Sequence, residues 1–85
     1  MGEYIEREHK FNRELLDKYN LKVGSVITIK RHEEIKQVTI SWVNPYYWWF
    51  GNEKEGWILP RELIEINGIK VKADIEQMRK ERKLE

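Results

Sequence analysis

The sequence predicts a mainly β fold, a small barrel of about five strands with an N-terminal amphipathic helix and a C-terminal helix. Apolar residues recur at helical spacing over the first twenty positions and then alternate in short β-branched runs from Gly24 onward. Turn signals separate those runs by roughly 8–12 residues, which is typical of small all-β barrels. Helical propensity returns after the last run.

The composition indicates one small domain. Its 85 residues include no cysteine, so no disulfide can support a thin core. A chain of this size buries only roughly 60–65% of the surface that it exposes when unfolded, and large aromatic side chains add buried area. We divide the domain into an N-terminal helix at 1–20, a barrel at 21–72 and a C-terminal helix or tail at 73–85.

Charge and hydropathy argue against several classes of function. The 16 Lys and Arg residues nearly balance the 15 Asp and Glu residues, without the basic excess of most nucleic-acid-binding domains. The N-terminus is polar rather than signal-like, and no apolar run approaches the ~20 residues that span a bilayer. We therefore expect a cytoplasmic protein without a membrane partner.

The first element is an amphipathic helix. Its stripe at helical spacing comprises Tyr4, Glu8, Phe11, Leu15 and Tyr19. No Gly or Pro interrupts residues 3–19, and Asn20 can adopt a left-handed cap conformation. We expect this helix to pack on the domain.

Short strands and turns follow. "GSVITIKR" alternates, "RHEEIK" is a polar turn, and "QVTISWV" alternates again until Asn44-Pro45 breaks it. "YYWWF" predicts a third strand, "GNEKEG" a turn, and "WILP" a fourth strand that Pro60 closes.

The last third of the chain combines a hairpin with a helix. "PRELIEINGIKV" predicts a helical turn and two strands around Asn67-Gly68, the strongest short hairpin signal. "KADIEQMRKERKLE" favours a helix with three apolar positions, Ile75, Met78 and Leu84. Whether this helix is ordered without a partner is left open.

The order of these signals resembles an SH3-like barrel, the fold of Src-homology 3 domains, over about residues 21–66. The likeness is carried by "LKVGSVITIKR" (21–31), the tandem-tryptophan segment "YWWFG" (47–51) and "EGWILPRELIEI" (55–66). The resemblance implies that Trp48 occupies the position of the exposed peptide-binding tryptophan. It also implies that Pro60 forms part of a ligand groove.

The sequence departs from that family in three places. A helix replaces the N-terminal motif with paired tyrosines and its acidic loop. Leu63 stands where peptide-binding members carry a tyrosine, and "KQVTISWVN" is an additional strand-like segment. Recognition of proline-rich peptides needs stacked aromatics and acidic residues, so the resemblance supports the fold better than the ligand.

No catalytic or metal-binding motif is recognisable. Ser25 and Ser41 lie outside any nucleophile-elbow pattern, and His9 and His32 lie in charged or polar segments. We expect a protein that is not an enzyme and has no cofactor or metal.

The aromatic run is the candidate site. Strand alternation would place Tyr46, Trp48 and Phe50 on one face and Tyr47 and Trp49 on the other. We expect the second face to be core and the first face, centred on Trp48, to contact a partner. The candidate partner-binding residues are Tyr46, Tyr47, Trp48, Trp57 and Pro60.

Three functional interpretations remain open. The first is a non-enzymatic binding module that docks a protein surface or extended peptide, a type compatible with a bacterial or bacteriophage accessory protein that modulates a host protein. The second is nucleic-acid binding with the aromatics as stacking platforms. Its basic contacts would be Lys22, Lys30, Arg31 and Lys36. The third is a structural subunit whose helices assemble a homo-oligomer.

Overall fold

The structure is a computed structural model that describes the backbone of residues 2–84 and the side chains of residues 5–84. Tyr4, a member of the predicted helical stripe, therefore lies outside the described side chains. As predicted, this part of the chain is mainly β with a helix at each end. The elements are α1 (Gly2–Lys18), β1 (Val26–Arg31), β2 (Glu34–Thr39), β3 (Trp42–Val43), β4 (Phe50–Asn52), β5 (Gly56–Ile58), a 3₁₀ turn (Pro60–Glu62), β6 (Leu63–Ile66), β7 (Ile69–Lys70) and α2 (Lys72–Glu81).

The larger sheet is antiparallel and runs in the order β2-β1-β6-β7; we call it the aliphatic sheet. Its inner face is built by alternation, because Ile27 and Ile29 of β1 are fully buried while their neighbours are not. His32 and Glu33 both have positive φ and form a two-residue turn into β2. The predicted polar turn "RHEEIK" is therefore too long, since Glu34 already belongs to β2.

The smaller sheet, β3-β4-β5, has strands of two or three residues; we call it the aromatic sheet. One continuous segment connects it to the aliphatic sheet. The Ile40 amide donates to the Ser25 carbonyl at 2.9 Å, and the Ser41 amide donates to the Gly51 carbonyl at 2.9 Å. The chain therefore passes from one sheet into the other between Ile40 and Ser41, within the predicted strand "QVTISWV".

The predicted strand "YYWWF" is wrong, because residues 44–49 form a compact loop, here the aromatic loop. The Asn44 side-chain oxygen accepts the amides of Tyr46 and Tyr47, both at 2.8 Å. The Trp48 amide donates to the Asn44 carbonyl at 2.9 Å, and Trp48 has a φ of 64°. Only Phe50 of the predicted strand lies in a strand, at the start of β4.

The C-terminal third of the chain matches its prediction. Asn67 and Gly68 have φ values of 48° and 83° and join β6 to β7 in the predicted hairpin. The apolar positions Ile75, Met78 and Leu84 are all buried. Through these side chains α2 packs on the core of its own chain.

Ion pairs among the described side chains connect α1 with α2 and with Arg82, which directly follows α2. They are Glu8–Arg79 at 2.9 Å, Glu14–Arg82 at 2.5 Å and Lys18–Asp74 at 2.8 Å. The Tyr19 hydroxyl also donates to the Asp74 carboxylate. The two helices are thus linked to each other as well as packed on the core.

The core lies between the inner faces of the sheets and the two helices. Its buried apolar side chains are Phe11, Leu15, Leu16, Leu21, Ile27, Ile29, Val38, Ile40, Phe50, Ile58, Leu63, Ile66, Val71, Ile75, Met78 and Leu84. Asn12 is the polar exception on α1: it is fully buried, and its amide has no hydrogen-bond partner among the described residues. The buried apolar side chains of both helices pack inside the chain, while Ile5 of α1 is 42% exposed.

Candidate functional site

Five rings from four separate parts of the chain form a continuous row, here the aromatic row. Tyr47 lies 4.6 Å from His9 of α1, and His9 lies 6.1 Å from Trp49, measured between ring centroids. Trp49 stacks on Trp57 of β5 at 5.5 Å, and Trp57 meets Trp42 of β3 at 6.4 Å. Spacings of this size are typical of favourable aromatic pairs. The row therefore runs from α1 across the aromatic loop to the outer face of the aromatic sheet.

Gly51 explains how two tryptophans fit on that outer face. In the ladder, Gly51 stands opposite Trp42 on one side and opposite Trp57 on the other. A Cβ at Gly51 would overlap the Gly56 carbonyl oxygen and lie 2.6 Å from the Trp42 ring. Because Gly51 has no side chain, the Trp42 ring can lie over β4, the strand between β3 and β5. On the opposite face, Phe50 and Ile58 are buried in the core.

A cavity of about 520 Å³ adjoins the row between α1, the aromatic loop, the 3₁₀ turn and α2. Its apolar lining is Trp49, Leu59, Pro60, Ile75 and Leu84, and its charged lining is Glu8, Arg61, Glu76 and Arg79. Trp49 belongs to both the row and the cavity. A concave, mostly apolar space with a few polar groups is the usual form of a binding site.

The charged wall of the cavity is held in place by Arg79. Its guanidinium donates to both carboxylate oxygens of Glu8, at 3.0 and 2.9 Å, and to the Leu84 carbonyl at 2.7 Å. The same group lies 5.1 Å from the centroid of the Phe11 ring, a cation–π distance. A bidentate pair that is also stacked on a ring fixes the shape of this wall.

Arg31, at the end of β1, anchors the strand that carries Trp57. Its guanidinium donates to the carbonyls of Glu55 at 2.6 Å and Trp57 at 2.7 Å, and to the Glu62 carboxylate at 2.7 and 2.8 Å. The hydrogen bond from Arg31 is the main reason that the pKa of Glu62 is lowered, and it raises the pKa of Arg31 in turn. Arg31 thereby fastens β5 and the 3₁₀ turn to the aliphatic sheet.

The predicted partner-binding residues do not all meet in one place. Tyr46, Tyr47 and Trp57 are 79%, 52% and 60% exposed. Pro60 is buried in the cavity wall. Trp48 lies elsewhere, packed against the core and lining a groove with Leu16, Leu21 and Val43.

Trp48 and Trp49 do not lie as strand alternation predicted, because both are half-buried and Trp48 packs against the core. The Arg13 guanidinium lies 5.1 Å from the Trp48 ring, so this tryptophan is covered from the α1 side. Trp49 instead shares the cavity with Pro60. Phe50, predicted to share an exposed face with Trp48, is fully buried. The left-handed conformation of Trp48 breaks the alternation on which the prediction relied.

The sequence reading missed Trp49, His9 and Trp42 as site residues. The only sequence signal for the loop was Asn44-Pro45, whose asparagine side chain can accept amides two and three residues later. Extending that turn through Tyr47 would have removed the strand. The contact of His9 with the row depends on how α1 crosses the sheets, and α1's own periodicity carries no information about it.

The four basic residues of the nucleic-acid interpretation are divided between two faces. Arg31 and Lys36 point toward the inner side, where both lie 3.5 Å from the Glu55 carboxylate. Lys22 and Lys30 are exposed. These residues form no common stripe.

Metal ligands and membrane-spanning segments are two further features that bear on function. No group of three or more His, Asp or Glu side chains within residues 5–84 is placed to hold a metal ion. Neither helix combines the length and the apolar character needed to cross a membrane.

No protein-family model, curated protein or solved structure matches the chain. The functional argument therefore depends on the geometry of the aromatic row and its cavity.

Proposed function

We propose that the chain is a non-catalytic binding module with an SH3-like barrel, which docks an extended segment of a partner protein along the aromatic row. In this proposal the exposed rings contact the partner's backbone and side chains, and one apolar partner side chain enters the cavity beside Trp49. Tyr and Trp are the residues that most often dominate protein interfaces.

The strand connections support the SH3-like barrel. β1 pairs with β2 on one side and with the closing strand β6 on the other. A single bent segment, β2 to β3, contributes to both sheets, and a 3₁₀ turn precedes β6. The segment "KQVTISWVN", additional in the sequence comparison, is then the bent strand itself.

The observation that carries the proposal is the double role of Trp49. It stacks on Trp57 in the row and lines the cavity together with Pro60. An exposed flat surface and a concave space thus meet at one side chain. That combination suits a chain segment that lies along the rings and inserts one side chain, as extended peptides do in aromatic-lined grooves.

The charges near the row favour a protein partner over a nucleic acid. The row is made of aromatic rings and one histidine, and the charged lining of the cavity balances Arg61 and Arg79 against Glu8 and Glu76. Binding to phosphates needs cations that can approach the backbone of the ligand. We accordingly expect binding that changes little with salt concentration.

The test uses the four tryptophans as separate reporters. A displayed library of random peptides is selected against the immobilised chain, and the strongest binder is titrated into isotope-labelled protein while the indole N–H signals are followed by nuclear magnetic resonance. The expected result is that the signals of Trp49 and Trp57 move and that of Trp48 does not.

Trp48 is the matched control, since it adjoins Trp49 in the sequence but faces a different groove. Selection of no peptide, or a response of Trp48 without a response of Trp49 and Trp57, would refute the proposed site.

A further inference from the structure

The edge of the aliphatic sheet at β2 is open. In the order β2-β1-β6-β7, β2 pairs with β1 only, and no strand within residues 2–84 covers its other side. The pairing with β1 is continuous over all six residues, from Glu34 to Thr39, without a bulge. Among the usual protections against strand addition, proline and a register shift are absent from β2, and its two charged residues, Glu34 and Lys36, are of opposite sign.

Hydrogen bonds on the two sides of β1 establish which residues of β2 direct their main-chain groups outward, away from β1. The Ile40 amide donates to Ser25 at 2.9 Å, and the Val26 carbonyl accepts from the Asn67 amide at 2.7 Å. Even-numbered β2 residues therefore direct their main-chain groups toward β1, and odd-numbered ones direct them away. Thr39 is odd-numbered and follows this pattern, because its carbonyl accepts a hydrogen bond from the Asn52 side chain, at 2.7 Å, outside the aliphatic sheet.

Two residues consequently present free main-chain groups at the edge. Ile35 and Gln37 direct their N–H and C=O groups away from β1, where no strand of the described chain meets them. The Ile35 side chain is 67% exposed. An extended strand is the ligand that satisfies such a row of alternating donors and acceptors.

We propose that β2 is a self-association edge, at which two copies of the chain pair antiparallel about a two-fold axis at Ile35. The sequence Glu34-Ile35-Lys36 is complementary to itself in this register. Each Glu34 then stands opposite the partner's Lys36, in the closer type of antiparallel pair, and Ile35 stands opposite the partner's Ile35. A symmetric dimer requires such a self-complementary patch.

Lys36 is already placed for this contact. Its ammonium group lies 3.5 Å from the Glu55 carboxylate of its own chain, and the partner's Glu34 would approach it from the open side. The two four-stranded sheets would join into one continuous sheet. Because the contact is one strand wide, the dimer is weak and depends on protein concentration. It uses no residue of the aromatic row, so it is independent of the proposed partner site.

Sedimentation equilibrium over a range of protein concentrations tests the proposal. The wild-type chain should approach twice the monomer mass as its concentration rises. Ile35→Pro should stay monomeric, because proline removes the N–H that would donate across the two-fold axis, on the side away from β1, and leaves the ladder with β1 intact. Ile35→Val keeps this N–H, so it is the matched control and should dimerise like the wild type. A wild type that stays monomeric, or an Ile35→Pro variant that dimerises as well as Ile35→Val, overturns the proposal.

A charge exchange tests the register. Glu34→Lys and Lys36→Glu should each raise the dissociation constant by roughly tenfold or more, because two opposite-charge pairs become two like-charge pairs. A mixture of the two variants should form a heterodimer, since both contacts are then attractive again. Circular dichroism first establishes that each variant is folded. A mixture that associates no better than the separate variants contradicts pairing centred on Ile35, and the Ile35 variants test the edge without relying on this exchange.

Discussion

The aliphatic and aromatic sheets are stabilised in different ways. The aliphatic sheet has strands of up to six residues, and its inner face buries Ile27, Ile29, Leu63 and Ile66 almost completely. The aromatic sheet has strands of at most three residues and places two of its tryptophans outside. Short ladders alone stabilise a sheet poorly. The difference raises the question of what holds the aromatic sheet in place.

Side chains that bond to the main chain perform that role. Asn52 accepts the amides of Lys54 and Glu55 and donates to Thr39, while Ser41 accepts the amide of Glu53. Similar bonds from Asn44 and Arg31 hold the aromatic loop and β5. The apolar core thus stabilises one sheet, and individual polar side chains hold the other in a shape that leaves rings exposed.

The largest predicted effect is the loss of stability caused by substituting Gly51 in the aromatic sheet. Gly51→Val should lower the free energy of unfolding by about 3 kcal/mol or more, because the new side chain meets the Gly56 carbonyl and the Trp42 ring, and backbone cannot move aside cheaply. Urea unfolding followed by circular dichroism measures the change.

Gly68→Ala is the control for this prediction. Gly68 has a φ of 83° but nothing within 4 Å of an added Cβ, so its substitution should cost only the roughly 1 kcal/mol of a left-handed alanine. Equal effects at the two glycines would show that Gly51 does not hold the Trp42 ring at close contact.

The second prediction concerns Arg31, which connects the aromatic sheet to the aliphatic sheet. Arg31→Met should cost about 2–3 kcal/mol, since it leaves Glu62 and two carbonyls of the β4–β5 hairpin without their donor. Lys30→Met is the neighbouring control on the exposed side and should change stability by less than about 0.5 kcal/mol. If the two substitutions have the same effect in urea unfolding, Arg31 is not the anchor of β5.

The two sheets also differ in how well the sequence predicts them. The alternation of β1, the Asn67-Gly68 turn and the helical period of α1 are local patterns, and each prediction from them is confirmed. The aromatic loop defeats the same method, because one Asn44 side chain and one left-handed residue, Trp48, decide its path. Periodicity cannot detect either of them.

The candidate site was predictable only in part for the same reason. Tyr46, Tyr47 and Trp57 are exposed, yet the partner of Pro60 is Trp49 rather than Trp48. Arg31 looked like a surface cation because its acceptors lie 24 to 31 residues away in the sequence. Contacts over such separations depend on the tertiary fold, and local sequence patterns do not specify the tertiary fold.

The third prediction compares two tryptophans that the sequence reading treated alike. Trp48→Ala should cost about 2 kcal/mol because the ring packs against the core. Trp57→Ala should cost less than about 1 kcal/mol, since 60% of the residue is exposed. Peptide affinity should show the opposite order, with the larger loss for Trp57→Ala. Urea unfolding and titration of the selected peptide measure the two properties, and the same order in both would disprove the separation of stability from recognition.

The smallest effect concerns the helix layer, which consists of α1 and α2. Tyr19 connects the two helices through its hydrogen bond to Asp74. Burial, followed by the hydrogen bond to Asp74, raises the pKa of Tyr19 from 10.0 to about 12. A group whose pKa is raised by folding stabilises the folded state fully below its ordinary pKa, here 10.0, and loses that contribution as pH rises toward about 12. Tyr19→Phe should cost about 1 kcal/mol near neutral pH and remove part of the alkaline loss of stability.

The double variant Tyr19→Phe/Trp57→Ala tests whether the helix layer and the aromatic sheet are stabilised independently. Tyr19 joins α1 to α2, whereas Trp57 stacks on Trp49 and Trp42 in the row, so the two residues share no partner. Effects of independent sites add to within about 0.5 kcal/mol. Additive losses in urea unfolding at neutral pH would confirm that the helix layer and the aromatic sheet are stabilised separately. A coupling of 1 kcal/mol or so would instead mean that the exposed rings depend on the packing of α1, with His9 as the connection between them.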